Sequence, residues 1–519
     1  MGRDTQAQHR HGSCAGGRGH PGPRRRARRA RYAPDGGAAA DGAAGSPGTV
    51  PGPRRPPDPR AAASASRTGR PRRDRDRAQA PGAARRLGAP PPEKSRHITS
   101  TPGGTGCYSE RRMAPSLSRR AVLRGLGASV ASLAFPLRLD AVTASDPPAV
   151  CAGYRPHVAA GWVPAGEPGA FERALRSVVD AATDFAWLAP GDRVLVKVAS
   201  NSGSRFPATS SPAALFALAR LLYARGAGTV WVGDQAGVHL VHHTRNERKG
   251  STRALMRQNG LWQAATAAGA VPLAFEEAGY DAYLAERVPG GGHWRDEVWI
   301  ARAAAEADHI VYLPRVSHHT LAFATLGLKL GVGWLREDSR LELHRDADSF
   351  AEKFAQVNRL PAIADRLRLV VTDATAVQTT FGPDFGYVAR PAAGLVLAST
   401  DLVAHEFVAH RWLAWTRAEA THGASAHWLL DGVYRQASLA NRCLVQMVWG
   451  PREAACIRAL AAPHVRGPLD DPALAHACRV RGGAPEALAL EWVDRTPGPV
   501  GAGEFLAGYA SAVRPVFMG

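Results

Sequence analysis

The sequence predicts an α/β protein: an open, mostly parallel sheet with helices on both faces, closed by a helical or irregular C-terminal cap. Three observations carry this expectation. From about residue 158, short β-branched apolar runs alternate with amphipathic stretches, the order of strands joined by crossover helices. The segment 193–234 reads as one complete strand–helix–strand unit, and such crossovers give parallel pairing. Polar and ionisable residues follow five of the apolar runs, where ligands collect in open sheets.

Taken in order, Phe171 to Leu188 reads as an amphipathic helix and "RVLVKVA" (193–199) as a strand. After the polar loop "SNSGSRFPATSS", Ser211 caps a helix with Pro212 at its first position, ending at Gly226. "TVWVGD" (229–234) is the next strand. A helix over 252–268 leads to a strand over 271–275, and a helix over 298–307 leads to the strand "HIVYL" (309–313). "LRLVVTD" (367–373) and "GLVLAS" (394–399) complete the strands, the last followed by a helix from Leu402 to Trp415. From about residue 420 the pattern turns helical and irregular.

The formal charge of +20 is unevenly placed. Residues 1–112 hold 24 Lys+Arg against 8 Asp+Glu, whereas the remaining 407 hold 41 against 37. The basic surplus therefore belongs to the first fifth of the chain, and the folded part is not expected to bind nucleic acid. That first fifth, rich in Arg, Pro, Gly and Ala, has no period of 2 or 3.6 and little to bury. It reads either as a disordered basic arm or as a leader translated from a mis-assigned start. The segment after it favours the second reading. "MAPSLSRRAVLRGLGASVASLAFPLRLDAVTASDPP" has Arg119–Arg120 in a charged lead, a weakly apolar stretch from Gly125 to Leu137, and a small-x-small site at Val142-Thr143-Ala144. These are the parts of a twin-arginine export signal.

The expected organisation is thus a leader over 1–112, a signal peptide over 113–145, an α/β domain over 146–416, and a C-terminal region over 417–519 packed on it. The product is expected outside the cytoplasmic membrane, periplasmic or extracellular, with the twin-arginine translocase as partner. No later run of 18 residues is apolar enough for a stable membrane span. Cys151, Cys443, Cys456 and Cys478 form no C-x-x-C pair, so no iron–sulfur cluster is expected. Either disulfides within the last three or free thiols fit their spacing.

The strand ends supply the candidate site. Lys197 lies inside an apolar strand and needs a counter-charge, for which Asp234 is available if the two strands are neighbours. Asn201 and Ser202 follow the first strand, in a loop rich in anion donors that opens a helix. Asp373 ends a later strand, and Asp401 follows the last. These residues, with His318, His319 and Lys329, are expected to line a cleft for a small-molecule ligand. Lys197, Asn201, Ser202, Asp234 and Asp373 stand as ligand-binding candidates. His239, His242 and His243 form an H-x-x-H-H run with no placed carboxylate. In "DLVAHEFVAHRW" (401–412), His405 and His410 are five residues apart, about 140° around a helix, which excludes the H-E-x-x-H zinc arrangement.

Several blocks occur in order: "VLVKVASNS", "PATSSP", "VWVGDQAG", "EADHIVYLPRVSHHTLAFATLGLKLGVGW", "LVVTDAT" and "LVLASTDLVAHEF". Together, over 193–412, they resemble the family called domain of unknown function 362. The chain departs from that family's P-K-x-K-x-H at Pro314-Arg315-Val316-Ser317-His318-His319 and from its K-N at Lys329-Leu330. More distantly, "AD-x-I-V…H-H…G-L-K…G" resembles the core of nickel-dependent lactate racemases. That likeness implies His318 or His319 as a ligand to a divalent metal or as an acid–base group, and Lys329 as a cofactor or carboxylate partner. His318, His319, Lys329 and Asp401 are the catalytic candidates on this reading. The alternative is that both histidines cap a loop while Lys329 pairs with Asp373 or Asp401. The function expected is a metal- or cofactor-assisted enzyme acting on a small anionic or carbonyl-bearing molecule. A non-catalytic binding protein for a small anionic solute is the other reading.

Overall fold

The computed structural model describes residues 147–380, 382–384, 386–420, 434–457, 465, 467–494 and 496–508. Residues 1–112 and the export signal with Arg119 and Arg120 lie outside the described residues.

An eight-stranded sheet organises the described chain. Its strands are β1 (His157–Pro164), β2 (Arg193–Val198), β3 (Thr229–Asp234), β4 (Val271–Ala274), β5 (His309–Leu313), β6 (Leu367–Ala374), β7 (Ala393–Ser399) and β8 (Ala489–Trp492). The spatial order is β8-β1-β7-β6-β5-β2-β3-β4. β7 alone runs against the others, pairing antiparallel with both β6 and β1; all remaining neighbours are parallel. The sheet is therefore mostly parallel, as predicted.

The strands are apolar on both faces because both are covered. Val194, Val196, Val230, Val232, Val311 and Leu369 meet one layer of helices: α1 (Ala170–Ala182), α2 (Pro212–Ala224), α3 (Thr252–Asn259) and α4 (Leu261–Ala267). The alternate residues Leu195, Ile310, Tyr312 and Val370 meet the other layer. Its helices include α5 (Glu337–Arg345), α6 (Phe350–Val357) and α7 (Leu402–Glu419). α2 begins as its sequence demands, with the Ser211 side chain accepting from the Ala214 N–H and Pro212 just inside.

Three expectations need correction. The helix over 252–268 is two helices, because Gly260 takes a left-handed φ of 93° and ends α3. The helix over 298–307 is mostly a strand: Val298–Ala301 pairs antiparallel with Tyr283–Glu286, leaving a four-residue turn of helix at Ala303–Glu306. Val298 and Ile300 are buried while Trp299 is less so, the period of a strand. β1 and β8 were not anticipated. β1 ("HVAAGWVP") draws its burial from small residues that carry little strand propensity, and β8 is a four-residue edge strand. Among the described residues Cys151, Cys443, Cys456 and Cys478 form no disulfide. No helix among the described residues is long and apolar enough to cross a membrane.

Beyond β5 the chain forms the strand Ser317–His319, which turns back along Phe323–Thr325 and joins Val377–Gln378 and Val388–Ala389 in a small second sheet. A short helical turn follows at Gly327–Leu330. Trp334, fully buried, stacks on Phe275 with ring centres 5.0 Å apart. Its Nε1 donates to the Tyr312 hydroxyl (3.1 Å), which donates to Asn358 (2.9 Å), whose amide donates to the Leu328 carbonyl (2.8 Å). This chain of bonds clamps the Gly-rich segment 327–334 over the carboxyl ends of β2 and β5. Trp334→Ala removes the ring and leaves the Tyr312 hydroxyl oxygen without its donor, and is expected to cost about 3–5 kcal/mol. Urea denaturation reads this; a loss below about 1 kcal/mol would show that the clamp is not structural.

Candidate functional site

The floor of the site is an ion pair between strands. Lys197 on β2 sits beside Gly233 of β3, so its side chain reaches Asp234 at the end of that strand. The pair is buried, with Nζ 2.7 Å from Asp234 Oδ1. The ammonium also donates to the Val198 carbonyl (2.9 Å) and the Leu330 carbonyl (3.2 Å), which uses all three of its protons. Asp234 Oδ2 accepts from the Ser200 N–H (2.5 Å). Burial drives the Lys197 pKa down and Asp234 opposes it. A Cβ at Gly333 would collide with both charged groups, so the segment crosses the pair only because that residue is glycine. Lys197 and Asp234, expected to bind ligand, are instead saturated by the protein.

Above the floor lies a polar rim. Asn201 Nδ2 donates to Asp384, as does the Ser202 side chain, and His239 Nε2 lies 3.0 Å from the other Asp384 oxygen. Asp384 is held below the usual carboxylate range: burial pushes it up, but the bond from His239 and the charges of His239 and Arg315 outweigh that. Arg315 is buried and lies across this rim, donating to the carbonyls of Pro207, Ala208 and Pro383 while its Nε has no acceptor among the described residues. Burial lowers its pKa to about 10, against the pull of Asp384 and Asp234.

Lys329 completes the wall from the Gly327–Leu330 turn. It is half-buried, and among the described residues no carboxylate or hydrogen-bond acceptor pairs with it. The Phe350 ring lies 6.0 Å from Nζ. Burial lowers its pKa to about 7, reinforced by the charges of Arg315 and Arg340 and opposed by Asp384. Its charge is felt by both His319 and His344. His319 Nδ1 accepts from the N–H groups of Leu321 (3.0 Å) and Ala322 (3.3 Å), which places the ring proton on Nε2. His344, on α5, has the opposite tautomer. Asn441 Nδ2 donates to the His344 carbonyl (2.7 Å), leaving Asn441 Oδ1 to accept from His344 Nδ1 (3.0 Å), so Nε2 carries a lone pair. Both rings are neutral: burial pushes His319 well below its ordinary value and His344 to about 4.

The site therefore brings together Asn201, Ser202, His319 and Lys329 over the Lys197–Asp234 pair. It does not bring in three other candidates. Asp373 lies on the opposite face of the sheet, where Ser211 and Thr375 bond to it; its neighbour Thr372 meets His405 of α7 on the first face. Asp401 follows β7, which runs against its neighbours and ends at Ser399 opposite Val370. There it caps α7 and binds Tyr154 (2.8 Å) and Arg481 (2.6 Å). Lys329 thus pairs with neither Asp373 nor Asp401. His318 meets the edge of Phe323, and successive strand residues point to opposite faces. His318 and His319 are therefore not placed to share one metal ion, and His319 would have to lose its Nε2 proton to ligate one. No group of three His, Cys, Asp or Glu among the described residues is arranged to hold a metal. His239, His242 and His243 diverge, to Asp384, Glu337 and the Tyr280 ring.

Arg315, His344 and Asp384 were missed by sequence reasoning. Arg315 stood in a noted departure from the family pattern and could have been weighed there. His344 and Asp384 carry no local signal; they reach the site through helix packing and a loop.

Residues 194–411 match the model of a family described as domain of unknown function (DUF362). No curated protein matches the chain by sequence. Among solved structures, the lactate racemase apoprotein from Thermoanaerobacterium thermosaccharolyticum is similar at 12% identity and a TM-score of 0.27, over 40% of this chain and 48% of that one. A protein from Thermotoga maritima is similar at 13% identity and a TM-score of 0.26, over 43% and 54%. The chain spans about half the length of each.

The state of Lys329 has a thermodynamic signature. Its folded pKa is depressed, so between about pH 7 and 10.5 the unfolded chain binds the extra proton and stability rises with pH. Lys329→Met removes the half-buried charge. The variant is expected to be more stable than the wild type at about pH 6, with the advantage fading as the pH approaches about 10. Urea midpoints across that range measure it; a difference independent of pH would mean that Lys329 titrates as an ordinary exposed lysine.

Proposed function

Taking residues 194–411 as a domain of unknown function 362, we propose that this chain is an exported enzyme performing acid–base chemistry on a small anionic or carbonyl-bearing molecule. The observation that carries the reading is the trio at the carboxyl edge of the sheet. Lys329 has no counter-charge among the described residues, and it influences two neutral histidines whose accessible nitrogens are complementary, a donor on His319 and an acceptor on His344. The positive potential of Lys329, Arg315 and Arg340 would attract an anionic group. His319 Nε2–H would bond to a ligand oxygen, and His344 Nε2 would take a proton from it or from the adjacent carbon. Neutral histidines held in fixed tautomers are the groups that general acid–base catalysis needs near neutral pH.

Exchange of substrate protons tests this. Small 2-hydroxy and 2-oxo acids are incubated with the protein in deuterated water, and deuterium at the carbon beside the functional carbon is followed by NMR. Exchange by the wild type, lowered about 10²–10⁴-fold in His344→Ala and in His319→Ala while affinity changes far less, supports the reading. Binding without exchange would favour the second reading, a non-catalytic binding protein for an anionic solute, which the unpartnered cation at Lys329 would also serve.

Export is proposed on the sequence pattern at Arg119–Arg120, which lies outside the described residues. Arg119→Lys/Arg120→Lys is expected to retain the protein in the cytoplasm of a twin-arginine-competent host. Unchanged appearance in the periplasmic or secreted fraction would exclude that route.

A further inference from the structure

Lysine is scarce in this chain: of 65 basic residues only 5 are lysine, at 94, 197, 249, 329 and 353. Four lie among the described residues, and three of them do what a basic residue ordinarily does. Lys197 is buried against Asp234, Lys353 is buried against Glu342 and Asp346, and Lys249 forms an exposed pair with Glu247. Lys329 pairs with nothing described. Of the three wall cations, Arg315 and Arg340 have their donors taken up by backbone carbonyls, and the one with no hydrogen-bond acceptor among the described residues is lysine. Lysine and arginine differ chemically in one respect that matters there: an ammonium can lose its proton and become a nucleophile, whereas a guanidinium cannot.

The surroundings fit such a nucleophile. Burial and the neighbouring charges of Arg315 and Arg340 favour its neutral form near pH 7. His319 Nε2–H can bond to an oxygen, and the His344 Nε2 lone pair can receive a proton. Arg315 and Arg340 supply fixed positive charge for a carboxylate, and both have their own hydrogen bonds to backbone carbonyls that hold them in place.

We propose that Lys329 forms a covalent imine with the carbonyl carbon of a small 2-oxo acid held at the carboxyl edge of the sheet. Nζ bonds to the carbonyl carbon while His319 Nε2–H hydrogen-bonds to the carbonyl oxygen and keeps its proton. His344 Nε2 accepts a proton shed by nitrogen and delivers it to that oxygen, giving the hydroxyl. The C–O bond then breaks as the second nitrogen proton reaches the hydroxyl by the same route, and the oxygen leaves as water. No oxidant or reductant is consumed. The inference rests on the acid–base reading of the same site and adds to it a covalent step and a substrate class.

Reductive trapping tests it. The full exported chain is incubated near neutral pH with glyoxylate, pyruvate or 2-oxoglutarate and sodium cyanoborohydride, digested, and mapped by mass spectrometry. A reduced adduct is expected on Lys329 with at least one of the acids, on the order of a thousandfold more than an amine of ordinary pKa, ~10.4, would give near neutral pH, with exposed Lys249 as the internal control. The adduct should vanish in Lys329→Arg, with folding checked by its melting curve. Equal labelling of Lys249 and Lys329, or none at Lys329, overturns the proposal. Calorimetry on the same acids separates the two failures. Binding without trapping leaves the acid–base site standing and removes the imine, whereas neither binding nor trapping removes both.

Discussion

The buried pair of Lys197 and Asp234 is the constraint on which the rest of the site depends. An ammonium taken out of water costs several kcal/mol unless its charge and all its protons are met. Here they are met by Asp234 and by two carbonyls, one of them from the Gly-rich segment that carries Lys329. The pair therefore joins β2 to β3 and pins the overlying segment in the same act. Replacing either partner leaves a buried charge with nothing opposite it, so the geometry above is coupled to the stability below. Lys197 at this position is an anchor, and the chemistry moves up one layer, to Lys329.

The sheet was legible because its strands are buried on both faces and so read as uninterrupted apolar runs. β1 escaped because small residues provide its burial, and the helix expected over 298–307 was a strand because a short apolar run does not declare its period. The direction of β7 was the costlier gap. Parallel pairing was a sound expectation for each strand joined by a helix, but β7 is reached through the second small sheet and enters from the opposite end. Nothing in "GLVLAS" marks that reversal, nor that Asp401 after it is taken up by the α7 cap, Tyr154 and Arg481.

At the site itself, residue types after strand ends pointed to Asn201, Ser202, His319 and Lys329, and the structure brings these four together. Roles were harder to read. A histidine's role depends on which nitrogen keeps the proton, and that is decided by Leu321, Ala322 and Asn441, none of which the sequence marks as functional. Adjacent histidines suggest chelation when written in a line. Placed on a strand they face apart, and His318 belongs to the Phe323 side.

A lone cation in a wall lined by other cations is an unfavourable arrangement for a resting protein. Arg315 and Arg340 both repel Lys329, and the carboxylate that pulls on Lys329 the other way is Asp384, already held by Asn201 and His239. The chain tolerates this because the cost is not fixed. Lys329 can release its proton, as the two arginines cannot, and an arriving anion can supply the missing charge. Each relief leaves a different molecule behind: the first an uncharged amine beside a proton acceptor, the second an occupied anion site. A carboxylate that also carries a carbonyl provides both at once. The charge imbalance that the fold maintains at this edge is thus a reason to expect a ligand of that kind, independent of any resemblance to another protein.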